Sequence, residues 1–238
     1  PDDVEHINAE LLTIRDPVWA LRRDRLLTAQ AVADLAGRDA GPAAIAGYLA
    51  IQQALSAIDR MEVRGRDSAG LHVLVWDHGL DLADPSVASV IAQRSADPLF
   101  QNGSLRVAGE CLSFVYKAAA EIGELGDNVR ALRGAAHADT LLRQALAHST
   151  TRVSVLGHTR WASVGIISEP NCHPVNGEQI ELSGAQQAEL PYTVAVLNGD
   201  VDNHADIKVN HSLHIAGPIT TDAKVIPAVM AQHAGGGT

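Results

Sequence analysis

The chain has little of what marks nucleic-acid-binding, membrane and secreted proteins. Its 238 residues carry a net charge of −10 without a basic cluster, which argues against nucleic acid or an anionic membrane as the main partner. Aromatic residues make up only 3% of the chain, so surfaces that stack bases are not expected. No apolar run reaches membrane-spanning length, and the beginning of the chain lacks the features of a signal peptide.

Cysteine is also scarce. The chain contains only Cys111 and Cys172, too few for a disulfide framework, and this usage is typical of a reducing compartment such as the cytoplasm. Hydrophobic residues make up 46% of the chain, enough for a substantial core. We find no repeat and no low-complexity linker, so we treat 1–238 as one domain. It begins with Pro1 and ends in Gly-Gly-Gly-Thr238, which we interpret as a fragment or a processed chain.

Hydrophobic periodicity predicts a helical hairpin before residue 62. Asp16-Pro17 opens one helical pattern, since proline suits a first helical turn, and Gly37 ends it. A second helix is expected to begin near Gly41-Pro42. Its apolar residues fall three and four apart and predict one buried face: Ile45, Tyr48, Ile51, Leu55 and Ile58.

The rest of the chain mixes strands and helices. Leu71-His-Val-Leu-Val-Trp76 predicts a strand that ends in the turn Asp77-His-Gly79. Further strands are predicted at 105–107, 112–116, 153–156 and 192–197, and helical segments at 128–148, 200–208 and from 220 onward. Residues 80–101 are expected to be irregular or weakly helical.

One loop is the main candidate for ligand binding. Gly157-His-Thr-Arg-Trp-Ala-Ser-Val-Gly165 follows an apolar strand and runs on to Ser168-Glu-Pro-Asn-Cys-His-Pro174. Arg160 and Trp161 emerge together at the strand end, where a guanidinium could hold a small anion beneath an aromatic lid. The alternative is an ordinary loop with a half-buried Trp161 and a solvated Arg160.

Three other segments carry polar residues next to helices or strands. Arg64-Gly-Arg-Asp-Ser-Ala-Gly70 precedes a buried strand, so its charges must be exposed or paired; Arg64 and Asp67 could pair with each other or brace a site. Asn198-Gly199 is either a hairpin turn or an oxyanion hole made by the Asn side chain and the glycine N–H. Asp222, in Thr221-Asp-Ala-Lys-Val-Ile226, either caps a helix or serves a site.

Taken in their order along the chain, the four segments at 64–70, 157–174, 198–199 and 221–226 resemble the class II glutamine amidotransferase domain, an N-terminal-nucleophile hydrolase. The resemblance is strongest to the glutaminase domain of glucosamine-6-phosphate synthases. The resemblance implies an α+β fold of four αββα layers with two packed antiparallel sheets. Residues 1–62 would then be a helical extension and 80–149 an insertion. The implied activity is hydrolysis of the side-chain amide of glutamine, with ammonia passed to a synthase or sugar-isomerase domain outside this chain that binds a sugar phosphate.

The resemblance also implies how glutamine would be held. Arg160 would bind its α-carboxylate, for which a bidentate guanidinium is suited. Asp222 would bind the α-ammonium group. Trp161 would lie on the loop that closes over the substrate, and His173 would line the same pocket.

The remaining implied roles concern catalysis. Asn198 and Gly199 would form the oxyanion hole, and Arg64 and Asp67 would support the site from beside the nucleophile. No cofactor and no metal are implied.

The sequence departs from this family in its catalytic residues. The family's nucleophile is a cysteine at the mature N-terminus, and its own α-amine acts as the base. Pro1 cannot do this, and neither cysteine begins the chain. Ser163 and Val164 stand where threonine and histidine are usual, and Leu197 stands where histidine is common. The chain as printed is therefore expected not to form a thioester intermediate.

Other interpretations stay open. A catalytically inactive relative would keep Arg160 and Asp222 and act as a glutamine-binding or scaffold domain. Pro1 could act as a secondary-amine catalyst if it were a genuine N-terminus. The oligomeric state is open, with a homo-oligomer among the alternatives. A metal site could be built from histidines whose spacing fits no structural zinc pattern, namely His204, His211 and His214.

Overall fold

The computed structural model describes residues 2–120, 123–180, 182 and 190–234. Pro1 and residues 235–238, which the sequence singles out, lie outside this part. The described residues contain both helices and antiparallel strands, which confirms the predicted α+β class. The strands form one sheet of four and one sheet of two within the described residues. The four-layer αββα arrangement and the limits of the helical extension and insertion stay predictions.

The elements are named here in chain order. They are α1 Asp2–Ala20, a π-helical segment Leu21–Leu26, α2 Leu27–Ala36, α3 Pro42–Met61, β1 Ser68–Trp76, α4 Pro85–Ser95, β2 Leu105–Ala108, β3 Cys111–Ala118, α5 Asp127–Ala138, α6 Thr140–Leu146, β4 Arg152–Arg160, β5 Val175–Asn176, β6 Val194–Ala195, α7 His204–Asn210 and α8 Val225–Ala234. Short 3₁₀ turns lie at Glu62–Arg64, Glu169–Asn171 and Asp222–Lys224.

The four-stranded sheet is antiparallel with the order β2-β3-β1-β4. In the middle of the sheet, Val73 of β1 lies opposite Phe114 of β3 and Val155 of β4. Because side chains alternate along a strand, every second residue of β1 points to the same face. Leu71, Val73 and Val75 belong to the buried core cluster that also contains side chains of α2, α3, α5 and α6.

The opposite face of this sheet is polar. His72 of β1 and Ser113 of β3 are hydrogen-bonded at 2.5 Å, and the hydroxyl of Tyr192 lies 2.8 Å from that of Ser113. Arg106 of β2 contacts both carboxylate oxygens of Glu178, at 2.7 and 2.8 Å. Tyr192 precedes β6 and Glu178 follows β5, so polar side chains link the large sheet to the segments that flank the small one.

The helical hairpin differs from its prediction at two points. Gly37 ends α2 as expected, with a positive φ of 82°. However, the first helix begins at Asp2, and Pro17 lies inside it, so the predicted start at Pro17 is wrong. Proline removes one backbone hydrogen bond and bends a helix, but does not always end it. Ile45 is the second error, because it is 47% exposed although the other four residues of its predicted face are buried.

The predicted helix at 128–148 is two helices, α5 and α6, separated at Asp139. Asp139 has an extended backbone, and its side chain accepts a hydrogen bond from the Leu142 N–H at 3.0 Å, which caps α6. The same carboxylate accepts from the Tyr116 hydroxyl at 2.8 Å and pairs with Arg94. These contacts come from distant parts of the chain, so local periodicity could not predict the break.

Several boundaries are also corrected. The strands predicted at 105–107 and 112–116 are present as β2 and β3. The strand predicted at 153–156 continues through Gly157 to Arg160, and the strand predicted at 192–197 is only Val194–Ala195. The helix predicted at 200–208 is shifted to His204–Asn210. Among the helices of the described residues, none combines the length and apolarity that crossing a membrane requires.

Candidate functional site

Arg160 is the last residue of β4 and is only 5% exposed. Its guanidinium donates hydrogen bonds to the carbonyl oxygen of Val164 and, at 3.5 Å, to that of Ile166, so the loop after the strand folds back over the side chain. Burial lowers the pKa of the Arg160 guanidinium, while nearby Asp222 and other anionic groups oppose this shift. Arginine nevertheless stays charged in proteins, and its five N–H groups leave donors for a ligand.

Asp222 is the second buried charge, also 5% exposed, and it begins the 3₁₀ turn before α8. The N-cap position of that turn is occupied by Thr221, not by Asp222. The Oδ2 atom of Asp222 accepts a hydrogen bond from the Val201 N–H at 2.6 Å. Asp222 therefore joins the segment after Asn198-Gly199 to the start of the last helix, and the capping interpretation is wrong.

Both charges line one cavity of about 250 Å³. Neither Arg160 nor Asp222 has an ion-pair partner within 4.0 Å among the residues that the structure describes. A buried charge without a partner is costly, so the cavity suits a ligand that carries both an anionic and a cationic group. The other residues at the wall are Arg64, His158, Thr159, Trp161, Ser163, His173, Leu197, Asn198, Gly199 and Asp200.

Two neutral histidines line the same cavity. The rings of His158 and His173 lie with their centroids 4.7 Å apart. Burial lowers the pKa of His173 to about 3, with further lowering from His158 and Arg160, and burial also lowers the pKa of His158. The Nδ1 atoms of both rings are buried and lack a hydrogen-bond partner within the described chain. Because these two atoms are closed off from solvent, the rings form a neutral part of the cavity wall and add no charge to it.

Asn198 and Gly199 lie at the mouth of the cavity and are exposed. Gly199 has a φ of 146°, a conformation in which side chains are strained, so glycine is suited to this position. The next residue, Asp200, accepts a hydrogen bond from the hydroxyl of Ser163 on the Arg160 loop. This contact closes one side of the mouth by joining the two loops.

The supporting residues hold the Trp161 loop from below. Asp67 accepts a hydrogen bond from the Ala162 N–H at 2.8 Å, and its own N–H donates to the Arg160 carbonyl at 3.2 Å. Arg64 lines the cavity directly. Trp161 is 75% exposed, so the half-buried position considered from the sequence is wrong and the ring is not packed over the cavity in this conformation.

Neither cysteine lines the cavity. Cys172 precedes His173, but its thiol is fully buried and donates towards the carbonyl oxygens of Ala118 and Ser168, each at 3.4 Å. Burial raises the pKa of this thiol, and it raises that of Cys111 to about 11. Both groups are thus protonated near neutral pH and poor nucleophiles.

Five residues of the cavity wall were not among the site residues predicted from the sequence: His158, Thr159, Ser163, Leu197 and Asp200. His158 could have been inferred, because residues two apart on a strand share a face and Arg160 is at the ligand side of β4. The Ser163–Asp200 contact had no such signal, since it depends on the approach of two loops. Within the described ranges, no group of three or more histidine, cysteine, aspartate or glutamate side chains could hold a metal ion.

Comparison with known proteins finds a similarity over part of the chain. No protein-family model matches the chain. A stretch of 96 residues is 33% identical to glutamine–fructose-6-phosphate aminotransferase (isomerizing) of Shouchella clausii. The match covers 40% of this chain but only 14% of that protein's length. It supports a distant relation to a glutamine-dependent enzyme over part of the chain.

Proposed function

We propose that the cavity binds free glutamine and that the chain is a domain of the glutamine amidotransferase type. The observation that carries this proposal is the pair of buried, unpaired and opposite charges, Arg160 and Asp222, at the wall of one small cavity. An α-amino acid carries a carboxylate and an ammonium group on the same carbon, so one ligand can neutralise both. The similarity to a glutamine-dependent enzyme selects glutamine among the amino acids.

Each end of the ligand has a matching partner. The donors of Arg160 that are not used by the loop carbonyls can bind a carboxylate with charge-assisted hydrogen bonds. Asp222 has one oxygen engaged by Val201, which leaves the other oxygen for an ammonium group. His158 and His173 complete the wall between these two charges without adding a charge of their own.

The amide end of glutamine would lie towards Asn198 and Gly199. If a nucleophile attacks the amide carbon, the carbonyl oxygen becomes an oxyanion, which an amide N–H₂ and a backbone N–H can stabilise. In the αββα fold of the N-terminal-nucleophile hydrolases, attack by the cysteine thiol releases the amide nitrogen as ammonia and leaves a glutamyl thioester, which water then hydrolyses to glutamate and the free thiol. The ammonia passes to a domain that acts on a sugar phosphate. The resemblance is the basis for the fold, for this reaction and for the acceptor.

The reaction needs a thiol that the described wall does not contain. The twelve residues that line the cavity include no cysteine, and both thiols of the chain are buried elsewhere. This observation favours a second candidate function, in which the chain as printed binds glutamine without hydrolysing it. We expect glutamine binding in either case, and release of glutamate only where a cysteine is supplied to the cavity.

Isothermal titration of the chain with glutamine tests the proposal. Arg160→Ala should weaken binding by tenfold or more, since removal of a charged hydrogen-bond partner costs roughly 1.5–3 kcal/mol. Arg152→Ala is a matched control, because Arg152 lies at the other end of β4, is exposed and pairs with Asp77. Unchanged affinity in Arg160→Ala, or equal losses in both variants, would contradict the proposed binding mode.

A further inference from the structure

The N-terminal helix has no partner within the described structure. Every described side chain from Asp3 to Trp19 is exposed. Helix α3 ends near the level of Asp24, where the Arg60 guanidinium lies 3.5 Å from the Asp24 carboxylate. The nineteen residues of α1 therefore extend beyond the hairpin, over about 28 Å at 1.5 Å per residue. Most helical stability in proteins comes from the packing of an apolar face, so a helix that is exposed on all sides is expected to have a packing partner.

The exposed helix carries a stripe of large apolar residues, which we call the seam. Its six members are between 55% and 71% exposed and follow one another at alternating spacings of three and four: Val4, Ile7, Leu11, Ile14, Val18 and Leu21. This spacing repeats every seven residues, which is the pattern that pairs helices in coiled coils. A protein that leaves such a row exposed usually has an interaction there.

We propose that the seam pairs with the seam of a second copy of this chain, in a parallel coiled coil. Charge favours a like partner. Within α1, one flank of the seam is acidic, with Asp3 and Glu10, whereas the other flank carries the basic residue Arg15.

These flanks decide the orientation of the pair. In a parallel pair, each acidic flank faces the basic flank of the other helix, and Glu10 lies opposite Arg15 of the second copy on both sides. In an antiparallel pair, acidic would face acidic and basic would face basic. The structure holds Arg15 against its neighbour Asp16 at 2.8 Å, an exposed contact that the second copy's Glu10 can replace.

The hairpin below the seam carries a surface that fits the same dimer. An apolar groove of about 770 Å³ runs between α2 and α3, and it is lined by Val32, Ala36, Ile45 and Leu49 among others. This groove explains why Ile45 is exposed although it belongs to an apolar helix face. The helix that carries the seam continues into the wall of the groove. A second copy that aligned with α1 would therefore bring its own α2 towards this groove.

The area is sufficient for a specific interface. If each of the six seam residues buries ~100 Å², two copies together bury ~1,200 Å², which is the lower end of stable interfaces before the groove is counted. One heptad position holds Val4, Leu11 and Val18, and the other holds Ile7, Ile14 and Leu21. Val18 with Leu21 favours two strands, whereas Leu11 with Ile14 favours more, so the seam residues alone do not fix the number of strands. We therefore assign the smallest closed assembly, a two-fold dimer.

Sedimentation velocity of the chain over a range of micromolar concentrations tests this assignment. The expected result is a concentration-dependent species of twice 25.1 kDa. Leu11→Glu should lower the association constant by about a hundredfold, because it buries an unpaired charge in the seam. Leu12→Glu is the matched control on the adjacent residue, which lies off the seam, and should leave the dimer intact.

A charge exchange tests the parallel register. Glu10→Arg should weaken the dimer severalfold, and the double variant Glu10→Arg, Arg15→Glu should restore it. Four results would each overturn the parallel dimer. They are the mass of a single copy at the highest concentration, the mass of a trimer or tetramer, equal effects of Leu11→Glu and Leu12→Glu, and no rescue by the double variant.

Discussion

Gly70 allows the backbone of β1 to approach the segment that carries His173 closely. Gly70 of β1 leaves no room for a side chain, because a Cβ atom there would lie 2.2 Å from the His173 carbonyl oxygen and 3.3 Å from that of Tyr116. Both neighbours are backbone atoms. Strand β1 is held between β3 and β4, so the His173 segment has to move if Gly70 becomes alanine.

This gives a prediction for Gly70→Ala. A displacement of about 1 Å in a packed interior costs roughly 1–3 kcal/mol of unfolding free energy. The loss outweighs the ~0.4–1 kcal/mol that alanine contributes by restricting the unfolded chain. We also expect weaker glutamine binding, since His173 lines the cavity. Urea denaturation and isothermal titration measure the two effects.

Gly134→Ala is the control for Gly70→Ala. Gly134 lies inside α5, is exposed, and a Cβ atom there would meet nothing within 4 Å. Alanine in a helix interior is favoured over glycine by ~0.5–1 kcal/mol, so this variant should be more stable than the parent chain. If Gly70→Ala were as stable as Gly134→Ala and bound glutamine normally, the close approach of β1 to the His173 segment would be refuted.

Two other perturbations have defined outcomes. Asp67→Ala should weaken glutamine binding at least threefold, because it removes the acceptor for the Ala162 N–H and frees the loop. Asp67→Asn keeps an acceptor oxygen and should retain most of the affinity. Equal affinity of the parent chain and Asp67→Ala in titrations would show that Asp67 does not support the cavity. Burial lowers the pKa of Lys224 from 10.5 to about 7. Between pH 7 and pH 10.5 the unfolded chain therefore binds more protons than the folded chain. The unfolding free energy should rise with pH in this range, by at most about 1.4 kcal/mol per pH unit. Lys224→Met should reduce that slope in denaturation measured between pH 7 and 10, and identical slopes in both proteins would contradict the depressed pKa.

The sequence predicted the members of the site better than their surroundings. Arg160, His173, Asn198, Gly199 and Asp222 come from distant segments, and all of them line one cavity. Their convergence could be expected because the four segments together resemble a family in which they share one site. Their roles in binding and catalysis stay predictions.

Other features depended on contacts that no local pattern contains. The break between α5 and α6 depends on Asp139, which binds Tyr116 and Arg94 from other elements. The exposure of Ile45 depends on which face of α3 the sheet covers. Pro17 lies inside α1. The preference of proline for the first turn of a helix therefore did not locate the start of this helix. Hydrophobic periodicity reports only which residues could be buried, and tertiary packing decides which of them are.

The most direct test of the account is the preference of the cavity for the ammonium group of glutamine. Isothermal titration would compare glutamine with the monoamide of glutaric acid, which lacks only that group, in the parent chain and in Asp222→Asn. Asparagine keeps an oxygen for the Val201 N–H, so the fold should be retained. We predict that the parent chain prefers glutamine by tenfold or more, and that Asp222→Asn loses this preference. Equal affinity of the parent chain for both ligands, or an unchanged preference in Asp222→Asn, would contradict the claim that Arg160 and Asp222 hold the two ends of one amino acid.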